Sequence, residues 1–170
     1  MGSEKGYFWK NAHGVDVSDN IEKLNEIYNT IQRINSKVIL FSLIEQAKSE
    51  YDKCDYETGR KSLIQAYFED KKNPIIYRGL GCISQHNGKL NFAVRMFKLA
   101  LKYSKKREVE YALIGMIYYL QDKLEEAVKY FNLALDENDE FERAYEGRNQ
   151  SMLEMHLKIS DLQDALRKYF

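Results

Sequence analysis

The sequence predicts an all-α protein built from consecutive pairs of helices, and three observations support this prediction. Its 170 residues include one proline and nine glycines, whereas an all-β chain of this size needs many more turn residues. Apolar residues recur every three to four positions between residues 21 and 34, which is the spacing of one helix face. A pattern of small and aromatic residues also repeats every 34 residues, as at Tyr77 and Tyr111.

The first predicted element is an N-terminal helix over residues 18–36, preceded by a flexible segment over residues 1–17. Ser18 is a suitable N-cap, because its hydroxyl can accept a hydrogen bond from a free N–H group of the first turn. The apolar face of this helix comprises Ile21, Leu24, Ile27, Tyr28, Ile31 and Ile34. We expect the helix to cover the open end of the array that follows. Residues 38–44 are nearly all apolar and would fit a strand by periodicity alone, but the repeat register favours a helix.

Two stretches of the chain align without gaps at a spacing of 34 residues. The matched positions are Tyr77, Leu80, Gly81, Ala93, Phe97 and Ala100 in one stretch and Tyr111, Ile114, Gly115, Ala127, Phe131 and Ala134 in the other. One step earlier, the corresponding positions carry Leu43, Gln46, Ala47, Gly59, Leu63 and Ala66. Three consecutive units therefore share one register, at residues 40–73, 74–107 and 108–141.

Each recurring residue type has a physical role in packing helices. A small residue such as Gly81 lets the two helices of a pair approach, because a larger side chain would push their axes apart. A ring such as that of Phe97 is predicted to fill the space between one pair and the next. Gly88 and Asp122 fall in the short turns within pairs, where a left-handed or capping backbone is needed. Pro74 is predicted in the first turn of a helix, where its missing N–H costs nothing.

This pattern resembles the tetratricopeptide repeat (TPR), a family of helix-turn-helix pairs. The resemblance implies a right-handed α-solenoid, in which three TPR units follow the N-terminal helix within one continuous domain. The proline that the family carries between pairs is absent, and Lys71, Lys105 and Asp139 lie near those turns. Residues 142–170 are predicted to form a degenerate fourth TPR or capping pair of helices, the second of which begins near Asp161. A terminal unit has no following neighbour to pack against, which fits a degenerate pattern.

The charge and cysteine content argue against several classes of protein. Lys and Arg total 26 and Asp and Glu total 26, so the chain lacks the excess of basic residues typical of nucleic-acid binders and of proteins that bind anionic membranes. No apolar run approaches the ~20 residues that span a bilayer. Cys54 and Cys82 have no CxxC spacing, and we expect free thiols in a reducing compartment. Because the N-terminus lacks a signal-peptide pattern, a cytoplasmic protein is predicted.

Candidate catalytic and metal-binding residues are sparse. His13, His86 and His156 lie far apart, and none belongs to an HExxH motif. The acidic residues 136–140 lack the glycine and the spaced glutamate of a calcium-binding EF-hand loop, so a solvated turn is predicted. The phosphate-binding loop and the nucleophile elbow are also absent from the sequence. We therefore expect a protein that is not an enzyme and has no metal or cofactor.

In the TPR family, the first helices of the pairs line a concave face on which a partner's peptide or helix lies. By register, the resemblance assigns to this face Phe41, Ile44, Lys48, Ile75, Arg78, Cys82, Gln85, His86, Val109, Ala112, Met116, Tyr119, Arg143, Glu146 and Gln150. Alternatively, a terminal helix of the same chain covers the face.

Some TPR cochaperones hold a C-terminal carboxylate with a clamp of lysines and asparagines. The matching positions here are Ile44, Lys48, Arg78, Val109 and Leu113. Only Lys48 fits the clamp, so this mode of binding is not expected. Arg78 and Arg143 could still hold one acidic group between them.

Three functions are compatible with the sequence. The leading prediction is an adaptor or scaffold that binds a protein or peptide partner in the concave groove. The second is a chaperone of secreted proteins, because the layout is similar to that of class II chaperones of type III secretion. The third is a protein that self-associates through its repeat ends, with Tyr169 and Phe170 packing into a sister chain. Fold alone does not decide among them.

Overall fold

The computed structural model describes the backbone of residues 18–169, and all side chains in this range except those of Asp19, Ala165, Lys168 and Tyr169. The segment predicted to be flexible, residues 1–17, lies outside the described residues, as do Phe170 and the side chain of Tyr169. The described range contains seven helices: α1 (Ser18–Asp52), α2 (Tyr56–Glu69), α3 (Pro74–His86), α4 (Leu90–Tyr103), α5 (Arg107–Leu120), α6 (Leu124–Glu137) and α7 (Glu142–Tyr169). No strand occurs in this range, so the all-α prediction is confirmed and the strand alternative for residues 38–44 is wrong.

The chain divides into two units, Met1–Ser42 and Leu43–Phe170. The described part of the first unit is the stretch of α1 that ends at Ser42, and nearly all of its described side chains are exposed. The second unit contains the last turns of α1 and helices α2 to α7. It holds the buried core of the described residues.

The helix positions in the second unit reproduce the 34-residue period. Helices α2, α4 and α6 are 14 residues each and begin at residues 56, 90 and 124. The turns that precede them place Cys54, Gly88 and Asp122 in the left-handed region, with φ of 61°, 68° and 62°. Asp122 and Gly88 therefore adopt the turn conformation that the sequence predicts. Cys54 adopts the same conformation at the equivalent position of the first repeat, residues 40–73.

Side-chain caps fix the start of two helices. The Asn73 side chain accepts a hydrogen bond from the N–H of Ile75 at 3.0 Å, and Pro74 is the first residue of α3, as predicted. The Asp55 carboxylate accepts from the N–H of Thr58 at 3.1 Å at the start of α2. These hydrogen bonds to Thr58 lower the pKa of Asp55, because they favour its charged form.

The core follows from the pairing of small residues with rings. A Cβ atom added to Gly81 would lie 2.7 Å from Cδ1 of Phe97, so the ring occupies the space that the glycine leaves. The ring of Phe131 lies in the same way against Gly115, and it also lies against Gly147 of α7. Both phenylalanines are buried. The predicted packing of a ring against a small residue is thus confirmed. The Phe131 ring packs against α5 within its own helix pair and also against α7 of the next.

Two boundaries differ from the sequence prediction. The N-terminal helix and the first helix of unit 40–73 form one helix, α1, and residues 142–169 form one helix, α7, in place of two. The reason is visible in the sequence, because no glycine or proline occurs between residues 18 and 58 or between residues 148 and 170. None of the described helices is long and apolar enough to span a membrane.

Candidate partner-binding groove

The first helices of the helix pairs lie side by side and present one face. We call this the first-helix face; it is formed by α1 from Leu43 onwards, α3, α5 and the first turns of α7. Four side-chain contacts join the helices along it: Tyr51 to His86, with ring centroids 5.1 Å apart, Arg78 to Glu110 at 2.6 Å, Gln85 to Met116 at 3.8 Å and Tyr119 to Gln150 at 3.4 Å. The face is therefore continuous across all four helices.

A largely apolar cavity of about 290 Å³ opens on this face between α1 and α3, and Leu63 of α2 lines it as well. Five of the predicted groove residues line it: Ile44, Lys48, Ile75, Arg78 and Cys82. Ile75 is 46% exposed at its rim, which is a high value for an isoleucine beside an apolar cavity. The cavity can therefore accept an apolar side chain.

An ion pair crosses from α3 to α5 next to this cavity. The guanidinium of Arg78 donates two hydrogen bonds to Oε1 of Glu110, at 2.6 and 3.1 Å. The Arg78 side chain is 30% exposed, whereas the Glu110 side chain is 0% exposed. Oε2 of Glu110 has no hydrogen-bond partner among the described residues. A buried carboxylate is costly unless it is paired, so Arg78 is needed to keep Glu110 in the core.

A second cavity, of about 330 Å³, lies between α5 and α7. The predicted groove residues that line it are Met116, Tyr119, Arg143, Glu146 and Gln150. Arg143, Glu146 and Gln150 are exposed, so the rim on the α7 side is polar. Arg143 forms no ion pair among the described residues.

An aromatic cluster closes the α1 end of the face. His86 stacks on Tyr56 with ring centroids 4.9 Å apart, and Tyr51 contacts both rings edge-on. Burial is the main reason that the pKa of Tyr51 is raised to about 12, with the nearby Cys82 thiol a smaller contribution. Burial also raises the pKa of Cys82 above its usual value, so this thiol stays protonated near neutral pH. Cys82 is half-buried and Cys54 exposed, and both are free.

The structure corrects part of the predicted face. Ala112 is 1% exposed and belongs to the core between α5 and α6, so its assignment to the surface is wrong. Its side chain faces a core cluster that contains Ala127 and Phe131 of α6 and Ala144 of α7. Val109 is half-buried and packs on the core cluster around Phe97. Phe41 is exposed and belongs to the first unit, Met1–Ser42.

Several residues of the face were missed by the sequence reasoning. The cavity walls include Tyr51, Gly79 and Ile83, and Glu110 anchors the ion pair. Glu110 was detectable, because the residues 34 positions before and after it are the apolar Ile76 and Ala144. A charged residue at such a position requires a buried partner of opposite charge.

The described residues contain no group of three or more His, Cys, Asp or Glu residues that could hold a metal ion. The acidic residues 136–140 are exposed and lie at the end of α6 and in the following turn, as predicted.

No family model matches the sequence, and a search of curated proteins gives no significant match. Solved structures do match. The TPR domain of Arabidopsis OM64 superposes with a TM-score of 0.64 at 14% identity, over 70% of this chain and 98% of that chain. The second TPR domain of human RPAP3, in complex with the HSP70 peptide SGPTIEEVD, gives 0.62 at 14% identity, over 69% and 98%. Over the matched part, about 70% of its length, the chain therefore has the TPR fold.

The chaperone SycD of type III secretion in Yersinia enterocolitica, in complex with a peptide of the translocator YopD, also matches. Its TM-score is 0.62 at 18% identity, over 68% of this chain and 94% of that chain. At these identities the likeness establishes the TPR fold alone. It confirms the resemblance on which the concave face was assigned, and it leaves the ligand open.

Proposed function

We propose that this TPR chain is a non-catalytic adaptor or scaffold that binds an extended peptide or a helix of a partner protein in the groove on the first-helix face. The observation that carries the proposal is the continuity of this face, which holds one cavity between α1 and α3, a second between α5 and α7, and a contact from Gln85 of α3 to Met116 of α5. An apolar cavity with a few polar groups at its rim is typical of a binding site. A methionine at the centre offers an adaptable contact.

The chemistry of the groove favours a partner segment that combines an apolar anchor with an acidic group. The α1–α3 cavity accepts the anchor, because its walls are mostly aliphatic. Lys48 and Arg143 are exposed and form no ion pair among the described residues, so they can bind a carboxylate. Arg78 is committed to Glu110, and we therefore assign the acidic contact to Arg143 in place of an Arg78–Arg143 pair.

The structural neighbours support a peptide ligand. The peptide bound to the human RPAP3 domain, SGPTIEEVD, contains an isoleucine followed by two glutamates. Four of the five clamp positions differ here, since Ile44 is apolar, Arg78 is paired with Glu110, Val109 is half-buried and Leu113 is buried. We therefore propose recognition of internal acidic and apolar residues, without a requirement for a free C-terminal carboxylate.

The test starts from random 12-residue peptides displayed on phage and selected on the folded 170-residue chain. Selected peptides are then measured against Ile75→Glu and Arg143→Glu, two exposed positions whose change leaves the core intact. We expect each variant to weaken binding at least about 10-fold.

The matched controls are Ile64→Glu on α2 and Arg95→Glu on α4, which exchange the same residue types at exposed positions of second helices. Binding should change less than about two-fold in these controls. Equal losses in all four variants, or none in the first two, would reject the groove as the binding site. Amidated peptides should bind as well as peptides with a free carboxylate.

A second candidate is a chaperone of secreted proteins, which the match to SycD favours. This function requires the same groove, but a client that is unstable or insoluble without the chain. Co-expression with secreted translocator proteins separates the two, because a chaperone raises the soluble yield of its client several-fold. An adaptor leaves the solubility of its partner unchanged.

A further inference from the structure

The stretch of α1 in the first unit carries a heptad repeat. The a positions are Ile21, Tyr28 and Asn35, the d positions are Leu24, Ile31 and Val38, and the g positions are Ile27, Ile34 and Phe41. The next a and d positions are Ser42 and Glu45, so the apolar pattern ends where the second unit begins. Three heptads of this kind, bounded by polar b, c and f positions up to residue 37, are typical of a helix that pairs with another helix.

We call these a, d and g positions the α1 stripe, and every apolar residue in it is exposed. Their exposed fractions run from 37% for Ile21 to 67% for Phe41. Most of the stability of a protein helix comes from covering its apolar face and not from intrinsic helix propensity. At these exposed fractions two copies would together bury on the order of 1,800 Å², which lies in the range of about 1,200–2,000 Å² for stable interfaces.

Asn35 identifies what kind of partner covers the stripe. An asparagine at one a position is exposed here within an otherwise apolar a/d/g face. In a parallel dimer in register, Asn35 lies opposite its own copy, and the two amides can form a hydrogen bond. In an antiparallel dimer centred on the stripe it would face Leu24, and its amide would be buried without a partner. An unrelated apolar helix would have the same defect.

From these observations we propose that the chain forms a parallel, in-register homodimer through a coiled coil of residues 21–41 of α1. The partner is a second copy of this chain. Asn35 sets the register and the number of strands, at a cost in stability. The proposed interface comprises residues 21–41, whereas the first-helix face begins at Leu43, so the two proposals rest on different residues.

Sedimentation equilibrium of the 170-residue chain tests the dimer. The double variant Leu24→Glu/Ile31→Glu should raise the dissociation constant at least about 100-fold, because it buries like charges in the interface. The matched control is Leu153→Glu/Leu157→Glu, two exposed leucines on α7, which should leave the mass unchanged. Circular dichroism with a thermal scan shows whether the array remains folded in each variant.

Disulfide trapping tests the orientation, in a background in which Cys54 and Cys82 are replaced by serine. Ile21→Cys should cross-link with itself under mild oxidation, and an equimolar mixture of Ile21→Cys and Val38→Cys should give no mixed product beyond the background. Asn35→Ile should remain associated but lose its single dimeric state. A monomeric wild-type chain at all concentrations, equal dissociation in the Leu153/Leu157 control, or preferential cross-linking of residue 21 to residue 38 would overturn the proposal.

Discussion

Two junctions in the array share one register but are built with different chemistry. At the first, where the α3–α4 pair meets α5, the Phe97 ring lies against Gly81 and shares a core cluster with Leu113. The ion pair of the partly exposed Arg78 with the buried Glu110 crosses the face there. At the second, where α5–α6 meets α7, the Phe131 ring lies between two glycines, and the crossing contact is an exposed hydrogen bond from Gln150 to Tyr119. The repeat therefore fixes the position of the ring, whereas the residues around the ring determine how much stability a substitution at the junction costs.

The largest expected effect comes from removing the rings. Phe131→Ala should lower the free energy of unfolding by about 3–5 kcal/mol, because it leaves a cavity lined by two glycines that have no side chain to move into it. Phe97→Ala should cost about 1 kcal/mol less, because the Leu113 side chain can shift towards the space. Urea denaturation of both variants measures the difference. An equal or reversed order would show that the two junctions relax in the same way.

The ion pair gives the next largest effect and is specific to the first junction. Arg78→Met should lower the free energy of unfolding by about 2–3 kcal/mol, because it leaves the carboxylate of Glu110 buried without a counter-charge. The figure is below that for a fully buried pair, since Arg78 is 30% exposed. The double variant Arg78→Met/Glu110→Ile should recover to within about 1 kcal/mol of the wild type or exceed it, because isoleucine occupies the equivalent position 76.

The control for this prediction is Lys48→Met, an exposed cation on the same face that forms no ion pair among the described residues. Its expected effect is below about 0.5 kcal/mol. A double variant as unstable as Arg78→Met would mean that the arginine stem, and not its charge, stabilises the junction.

The sequence was sufficient to predict the register, because each matched position has one steric requirement. Gly81 needs a missing side chain, Phe97 needs a ring, and the turn at Gly88 needs a left-handed residue, and all three appear in the structure as predicted. The ends of the array were less predictable. Nothing in residues 148–170 interrupts a helix, so a resemblance to a second helix near Asp161 did not suffice to make a turn.

The binding face was predictable by helix but less so by residue. Side chains two positions apart on a helix point in different directions. A small error in the predicted register therefore assigned Ala112 to the surface, although it lies in the core. The 34-residue spacing marks Glu110 as a charged residue among apolar equivalents, but its partner Arg78 lies 32 residues away, so the spacing alone could not identify the pair. The 34-residue spacing therefore predicts equivalent positions in the repeats, but it does not predict which side chains of different repeats contact each other.

The smallest expected effect concerns the tight second junction. Glycine to alanine within a helix normally adds about 1 kcal/mol of stability. In Gly147→Ala, however, the new Cβ would lie 2.8 Å or less from three ring carbons of Phe131, which is a buried ring that also packs against Gly115. The overlap should outweigh the gain in helix propensity and leave a net loss of about 1–2 kcal/mol.

The control is Asn149→Ala, at an exposed position of the same helix, which should instead gain a few tenths of a kcal/mol, about 0.5 at most. Urea denaturation decides the sign, and a stabilised Gly147→Ala would mean that α7 can move away from Phe131, so that the second junction is the looser of the two.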